Sequence, residues 1–182
     1  VRAGTPLAEL EQLLASKGQY LPFEPPHFGD GATVGGMVAA GLSGPARAAS
    51  GGVRDFVLGV HMLNGRAQQL QFGGQVMKNV AGYDVSRLMV GSFGTLGVIT
   101  EVSLKVLPLP VAQATLRFEL DQPAALRQLN EWAGRPLPLN ASCWLREQGQ
   151  ARLYLRLRGA QAAVLAASRD LGGDLLDEAQ AQ

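Results

Sequence analysis

The segment Gly91-Ser-Phe-Gly94-Thr-Leu-Gly97-Val-Ile-Thr100 does most to decide the fold, because it joins a glycine-rich turn directly to a β-type run. Beyond the turn, apolar and polar residues alternate, which predicts a strand over residues 98–107. Glycines spaced by three permit backbone conformations with positive φ and a close approach of the chain to a neighbouring group. The segment therefore predicts a tight turn that leads into a sheet.

Two further glycine-bearing turns lie upstream of this segment. Thr33-Val-Gly-Gly36 opens a small, apolar run that predicts a short buried helix, and Gly41-Leu-Ser-Gly44 follows it. Of the 23 glycines, 16 lie between Gly29 and Gly97, a stretch with only eight charged side chains. Such backbone suits a large, flat, mostly apolar ligand that accepts hydrogen bonds from N–H groups. Tight turns within a compact α/β domain are the alternative interpretation.

The rest of the first 109 residues predicts a sequence of short elements. The first is a helix with Thr5 as N-cap and Pro6 as its first residue, which stops at Gly18. Extended backbone is predicted before Pro25 and Pro26. Strands at residues 56–63 and 67–72, joined by Asn64-Gly65, and a short helix at residues 83–89 that Asp84 opens come next. Lys78, Asn79, Tyr83 and Asp84 form a polar cluster in an apolar stretch, either as turn and capping residues or as contacts to a ligand or partner.

The composition changes near Leu109, where charged residues return and glycines become scarce. The pattern then predicts strands at residues 114–120, 142–147 and 151–158 and helices at residues 123–133 and 160–171. In the last strand Leu153, Leu155 and Leu157 are predicted to be buried. Its other face carries Arg152, Tyr154, Arg156 and Arg158, which form either a solvated strand face or a docking surface. The sequence thus predicts an α+β protein of two domains, residues 1–109 and residues 110–182.

Composition and motifs exclude several classes of protein. The formal net charge of +1, from 16 Lys and Arg against 15 Asp and Glu, argues against nucleic-acid binding. The single cysteine, Cys143, cannot form a disulfide framework, and His27 and His61 are too few for a zinc cluster. The glycine spacings match neither a dinucleotide fingerprint nor a phosphate-binding P-loop, and no catalytic triad is recognisable. No apolar run is long enough for a transmembrane helix.

The ordered motifs resemble the FAD-binding domain of the vanillyl-alcohol oxidase type, also called the PCMH type. The motifs that carry the resemblance are Val1-Arg-Ala-Gly-Thr-Pro-Leu7, Leu21-Pro-Phe-Glu-Pro-Pro-His27, Thr33-Val-Gly-Gly-Met37 and the segment from Gly91 to Thr100. Within that superfamily, two stretches are similar to the FAD-binding E subunits of bacterial glycolate oxidases. They are Ser50-Gly-Gly-Val-Arg-Asp-Phe-Val57 and Gly74-Gln-Val-Met-Lys-Asn-Val-Ala-Gly-Tyr-Asp84.

The resemblance implies a second FAD-binding subdomain, residues 1–109, followed by part of an α+β cap domain, residues 110–182. It also leads us to expect a piece of a longer polypeptide, in which a pyrophosphate-binding loop precedes Val1 and a further segment follows Gln182. Because those parts would supply much of the contact surface, we expect residues 1–182 alone to bind FAD weakly or not at all.

Matched motif positions carry the predicted cofactor site, and the resemblance implies non-covalent binding of FAD. The first turn would lie beside the flavin and pyrophosphate, the second would add backbone contacts, and the third would meet the flavin–ribityl or adenine side. The predicted cofactor-binding residues are His27, Thr33, Gly35, Gly36, Ala40, Gly41, Leu42, Ser43, Gly94, Thr95, Gly97, Val98 and Ile99. His27 could instead be a hydrogen-bonded structural histidine. The sequence identifies no catalytic residue and no metal ligand.

The resemblance implies an oxidoreductase subunit that helps to convert glycolate, or a related small 2-hydroxy acid, to glyoxylate or the matching 2-oxo acid. Electrons would pass through the flavin to partners, namely an FAD-binding D subunit and an iron–sulfur F subunit. A cytoplasmic location is implied, with peripheral attachment to the inner membrane through the complex left open. Two alternatives remain: a stand-alone FAD-linked dehydrogenase of the D-lactate type and a flavin-free structural subunit.

Overall fold

A computed structural model describes residues 1–74 and 82–177 of the chain. The chain forms two compact units, Val1–Leu109 and Pro110–Gln182. Lys78 and Asn79 of the polar cluster lie outside the described residues. Within the described residues, no helix combines the length and the apolar character needed to cross a membrane.

In its described residues, 1–74 and 82–109, the first unit combines five helices with two small sheets. Its elements are α1 (Leu7–Ser16), β1 (Gln19–Tyr20), α2 (Val34–Ala40), α3 (Arg47–Ser50), α4 (Val53–Phe56), β2 (Val57–Leu63), β3 (Gln69–Gly73), α5 (Val85–Leu88), β4 (Val98–Leu104) and β5 (Leu107–Pro108). Strand β2 is the centre of an antiparallel sheet in the order β3-β2-β4, and β1 pairs with β5.

The core of the first unit joins one face of the three-stranded sheet to the helices around it. Val60 of β2 and Val102 of β4 oppose each other across the sheet, and both are almost completely buried. Leu7 of α1 and Val38 of α2 are fully buried in the same cluster. Helix α2, with its small residues, therefore packs between β4 of the sheet and α1, where it positions the turns on either side.

Three local predictions for the first unit need correction. Thr5 is not an N-cap, since α1 begins at Leu7 and Pro6 occupies the cap position without a side-chain hydrogen bond. The backbone before Pro25 is not uniformly extended, because Glu24 has a φ of 48°. The loop after Asn64 is longer than two residues: the Asn64 Oδ1 atom accepts hydrogen bonds from the N–H groups of Arg66 and Gln68, which delays the return strand to Gln69.

The second unit has the strand–helix–strand–strand–helix–strand order of a ferredoxin-like fold. Its elements are β6 (Ala112–Phe118), α6 (Gln122–Ala133), β7 (Leu139–Glu147), β8 (Gln150–Gly159), α7 (Gln161–Leu171) and β9 (Asp174–Leu175). The four strands form an antiparallel sheet in the order β7-β8-β6-β9.

The prediction of a buried leucine row in β8 is confirmed. Leu153, Leu155 and Leu157 are no more than 1% exposed and pack with Trp132 of α6 and Val164 of α7. Residues on alternate positions of a strand share one face, so both helices lie on the face that these leucines form. The strands and helices predicted for this unit are also confirmed, with ends that differ by at most three residues.

Candidate functional site

The beginning of α2 is the point around which the predicted site residues gather. Thr33 is the N-cap, and its Oγ1 atom accepts a hydrogen bond of 3.1 Å from the N–H of Gly36. The N–H groups of Val34 and Gly35 donate to the carbonyl oxygens of Thr5 and Ala3, at 3.0 and 2.8 Å. These three N–H groups are therefore used within the protein. A ligand here would contact the surfaces around the helix rather than these hydrogens.

Two open cavities flank α2, and they share Thr33 and Gly36. The first has a volume of about 360 Å³ and is lined by Leu7, Pro26, Phe28, Gly29, Gly31, Ala32, Thr33, Gly36, Met37, Ala40 and Leu42. The second has a volume of about 350 Å³ and is lined by Ala3, Gly4, Thr33, Gly35, Gly36, Ala39, Gly94, Gly97, Val98 and Ile99. Because they share these two residues, we call the two apolar cavities together the groove.

The third glycine turn reaches this groove because it is bound to the end of α2. The N–H groups of Gly91 and Phe93 donate to the carbonyl oxygens of Val38 and Ala39, at 3.1 and 3.0 Å. Gly41, with a φ of 65°, ends the helix, and a Cβ atom there would lie 2.9 Å from the Gly91 nitrogen. This contact brings two turns that are about fifty residues apart in sequence to the same side of the helix.

Nine of the thirteen predicted cofactor-binding residues line one or both cavities. Four do not, namely His27, Gly41, Ser43 and Thr95. The side chains of three of these four make structural hydrogen bonds. His27 Nε2 lies 2.9 Å from the Glu11 carboxylate, Ser43 Oγ accepts from the N–H of Val53 at 3.2 Å, and Thr95 Oγ1 donates to the Ser92 carbonyl at 2.7 Å.

The glycines in the groove differ in what a side chain would meet. A Cβ atom on Gly35 would lie 2.6 Å from the Cβ of Ala3, and one on Gly97 would lie 2.3 Å from the Cε of Met62. These two glycines are required for packing within the protein. A Cβ atom on Gly36 would contact only Thr33 Oγ1, at 3.1 Å, and one on Gly94 would have no neighbour within 4 Å. Gly36 and Gly94 therefore present open surface to the groove.

Sequence reasoning missed several residues of the groove. Ala3 and Gly4 line the second cavity, and Pro26 and Phe28 line the first. A signal for them was present, since Ala3 and Gly4 belong to the first resembling motif and Pro26 and Phe28 flank His27. Of this segment, the apolar neighbours Pro26 and Phe28 line the cavity and His27 does not.

The groove is apolar and carries exposed aromatic and aliphatic side chains at its edges. Phe28 is 82% exposed, and Val98 is 64% exposed. Among the described residues, no charged side chain lines either cavity. The arrangement suits a flat apolar group and offers no cation for a phosphate.

The described part of the polar cluster has a structural role. The Oδ1 atom of Asp84 accepts a hydrogen bond of 3.0 Å from the N–H of Arg87, which makes Asp84 the N-cap of α5. The side chain of Asp84 also forms an ion pair with Arg87. The capping interpretation of Asp84 is confirmed, while Tyr83 is 96% exposed.

Comparison with known proteins identifies the class to which this fold and groove belong. Residues 1–87 match the model of a family described as the FAD binding domain. The solved structure of an alkyldihydroxyacetonephosphate synthase superposes on the whole chain with a TM-score of 0.73 at 19% sequence identity, over 43% of that protein. Residues 1–87 therefore match an FAD-binding domain, and the predicted fold class is confirmed.

The chain is also similar in sequence to individual proteins of known name. The chain is 53% identical over 173 residues to the glycolate oxidase subunit GlcE of Escherichia coli (strain K12), a match that covers 95% of this chain and 48% of that protein. It is 36% identical over 110 residues to a mitochondrial D-lactate dehydrogenase of Arabidopsis thaliana, which covers 60% of this chain and 19% of that protein. The chain thus spans about half the length of the first of these relatives and less of the second.

The groove fits part of an FAD molecule rather than all of it. Cofactor sites are concave, largely apolar and typically about 300–1,000 Å³ in volume, which agrees with the two adjoining cavities. A flavin ring system could lie against small residues such as Gly36 and Ala40. The pyrophosphate carries negative charge, and the lining residues supply no cation to balance it.

Proposed function

We propose that the full-length protein is an FAD-binding subunit of a complex that oxidises glycolate or a related small 2-hydroxy acid. The observation that carries the proposal is the 53% identity to a glycolate oxidase subunit, which extends through both units. The uncharged groove around Thr33 and Gly36 supports it, because its shape and chemistry suit a flavin.

In this proposal the chain binds and orients the cofactor. FAD would supply a two-electron acceptor for the alcohol carbon of the substrate. Thr33, Gly36, Ala40, Gly94 and Val98 would form the surface against which the cofactor lies. Leu42, Gly97 and Ile99 would complete the apolar wall, while Gly35 would hold that wall through its contact with Ala3.

We propose glyoxylate as the product from glycolate, and a D-type FAD subunit and an iron–sulfur subunit as partners. The existence of a glycolate oxidase subunit named GlcD in Bacillus subtilis, 34% identical to this chain over 116 residues, supports a related second flavoprotein. We place the complex in the cytoplasm, with any contact to the inner membrane made through the partners.

The activity is tested by assaying full-length protein for reduction of an artificial dye, with and without the two co-expressed partner subunits. We expect glycolate-dependent reduction only in the complex, because the proposal assigns electron transfer to the assembly. Reduction with D-lactate by the isolated subunit would instead support a stand-alone dehydrogenase, which the D-lactate dehydrogenase relatives make the second candidate. A full-length protein that releases no FAD on denaturation would be a flavin-free structural subunit.

The residues 1–182 alone are expected to bind FAD weakly or not at all. The reason is that the groove supplies one apolar wall and no cationic group for the pyrophosphate. Isothermal titration calorimetry with micromolar FAD should give no saturable heat, whereas the full-length protein should retain FAD through purification. Tight binding by residues 1–182 would show that this chain contains the whole cofactor site.

A further inference from the structure

Residues 26–31, which we call the wall segment, form one side of the first cavity. Pro26 and Phe28 are among the lining residues that the wall segment contributes, and Gly36 and Ala40 are among those that α2 contributes. Every residue of the wall segment is exposed, and Phe28 is 82% exposed. Packing against the rest of the first unit therefore does little to hold the wall segment in place.

Backbone hydrogen bonds fix the chain on both sides of the wall segment. Before it, the carbonyl oxygen of Phe23 accepts a hydrogen bond of 2.9 Å from the N–H of Gly44. After it, the carbonyl oxygen of Ala32 accepts one of 2.8 Å from the N–H of Leu7, the first residue of α1. Phe23 and Leu7 are both fully buried. The chain is therefore anchored in the core of the first unit just before and just after the wall segment.

The backbone of the wall segment itself makes few hydrogen bonds. Neither Pro26 nor its neighbour Pro25 has an N–H to donate. Among the described residues, the one backbone hydrogen bond of the wall segment comes from the N–H of Ala32 to the carbonyl oxygen of Gly29, at 3.3 Å, and it closes a local turn. Gly29 and Gly31 restrict the backbone less than other residues would. The position of the wall segment thus depends on a side-chain contact.

His27 supplies that contact by linking the wall segment to α1. Its Nε2 atom lies 2.9 Å from Oε2 of Glu11, in the second turn of α1, and each of the two side chains is 37% exposed. A neutral imidazole with its proton on Nε2 and a protonated imidazole can both donate to a carboxylate. Within the part of the chain that the structure describes, no other side-chain hydrogen bond or ion pair joins the wall segment to another element.

We propose that His27 is a positioning residue for the cofactor site, because its bond to Glu11 holds the wall segment as a fixed side of the first cavity. The inference rests on the proposed function, since it takes FAD as the occupant of the groove. His27 lines neither cavity, so its effect passes through its neighbours Pro26 and Phe28. A wall that is already in its bound position lowers the cost of binding, and the apparent dissociation constant rises as that position becomes less populated.

The test titrates FAD into the apo form of the full-length protein. His27→Ala and Glu11→Ala are each expected to raise the dissociation constant about two- to fivefold, the range for one partly exposed pair. The double variant should lose no more than either single variant, because both remove the same link. His27→Gln should bind FAD nearly as the wild type does, because the glutamine side-chain N–H can still donate to Glu11.

Glu9→Ala and Asp30→Ala are the matched controls. Glu9 lies on α1, two residues before Glu11, and Asp30 lies in the wall segment. Both are exposed, and neither lines a cavity of the groove. Each control removes one carboxylate, as Glu11→Ala does, while the pair between His27 and Glu11 remains. We therefore expect both controls to bind FAD as the wild type does.

A second measurement on the same apoproteins does not involve the cofactor. Chymotrypsin cleaves after aromatic residues, and cleavage after Phe28 requires the wall segment to leave its position and enter the protease. We expect the Glu11→Ala protein to be cleaved there about two- to fivefold faster than the wild type, with the products identified by mass. Glu11→Ala is the decisive variant, because it leaves the sequence around the cleaved bond unchanged.

The possible results separate three roles for His27. If Glu11→Ala binds FAD normally while His27→Ala does not, His27 contacts the cofactor directly and the positioning role is overturned. If both single variants bind FAD normally, the wall segment needs no link to α1, and this inference falls while the proposed function stands. If the wild-type full-length protein binds no FAD, the proposed function and this role of His27 fail together, and the cleavage rates then report only whether the link to α1 exists.

Discussion

Gly36→Val in the full-length protein is expected to abolish FAD retention while leaving the fold intact. Gly36 lies in the first turn of α2, is exposed, and lines both cavities. A side chain here would meet only Thr33 Oγ1 within the protein, so the two added methyl groups would project into the groove. Valine is no worse than glycine in a helix, and we expect the free energy of unfolding to change by less than about 1 kcal/mol.

The measurement is the ratio of flavin to protein after purification, together with the melting temperature of the apoprotein. We expect the ratio to fall to about one-tenth or less, which corresponds to a loss of about 1.4 kcal/mol or more in binding. Gly65→Val is the control, because a side chain there has no neighbour within 4 Å and the residue lies in the β2–β3 loop, outside both cavities. Normal flavin content in a folded Gly36→Val protein would remove the groove from the cofactor site.

Gly97→Ala is expected to destabilise the fold itself by about 2–4 kcal/mol. Gly97 has a φ of 148°, a conformation that residues with a side chain rarely adopt. The new Cβ atom would lie 2.3 Å from Met62 Cε and 2.5 Å from the Leu63 carbonyl oxygen, so β4 would have to move away from β2. Because small domains are stable by only about 5–15 kcal/mol, this loss is a large fraction of the total.

Denaturant unfolding of the full-length protein measures this effect, with Gly94→Ala as the matched control. Gly94 also has a positive φ, 75°, but an added Cβ would have no neighbour within 4 Å. The control isolates the backbone cost, about 1–2 kcal/mol, from the cost of the clash. A Gly97→Ala protein with unchanged stability but no flavin would show that the glycine serves the cofactor directly.

The contrast between Gly36 and Gly97 shows where prediction from the sequence reached its limit. Both glycines were predicted to contact the cofactor because they belong to motifs of an FAD-binding family. The two differ in the atoms that an added side chain would contact. At Gly97 that contact is Met62, 35 positions earlier in the chain. No local pattern around residue 97 contains this information, since the contact arises from the pairing of β2 with β4.

His27 shows the same limit for a polar residue. Its position after two prolines and its rarity in the chain made it a candidate for the cofactor site. Its side chain instead contacts Glu11 on α1, which is 16 positions away, and its neighbours Pro26 and Phe28 line the cavity. Successive residues of an extended segment point in opposite directions, so a motif can locate the segment without telling which of its side chains faces the ligand.

The sequence by itself determined the family, the α+β class, the short helix after Thr33 and the leucine row of β8. These features follow from local patterns, namely the alternation of apolar residues and the order of glycine motifs. The tertiary structure alone decided that three separated turns meet around α2, which glycines serve packing, and that the arginines of β8 share a face with Arg117, Glu147 and Asp174. The physical reason is that strand pairing and helix packing join residues distant in the chain, and contacts between such residues leave no local periodic signal.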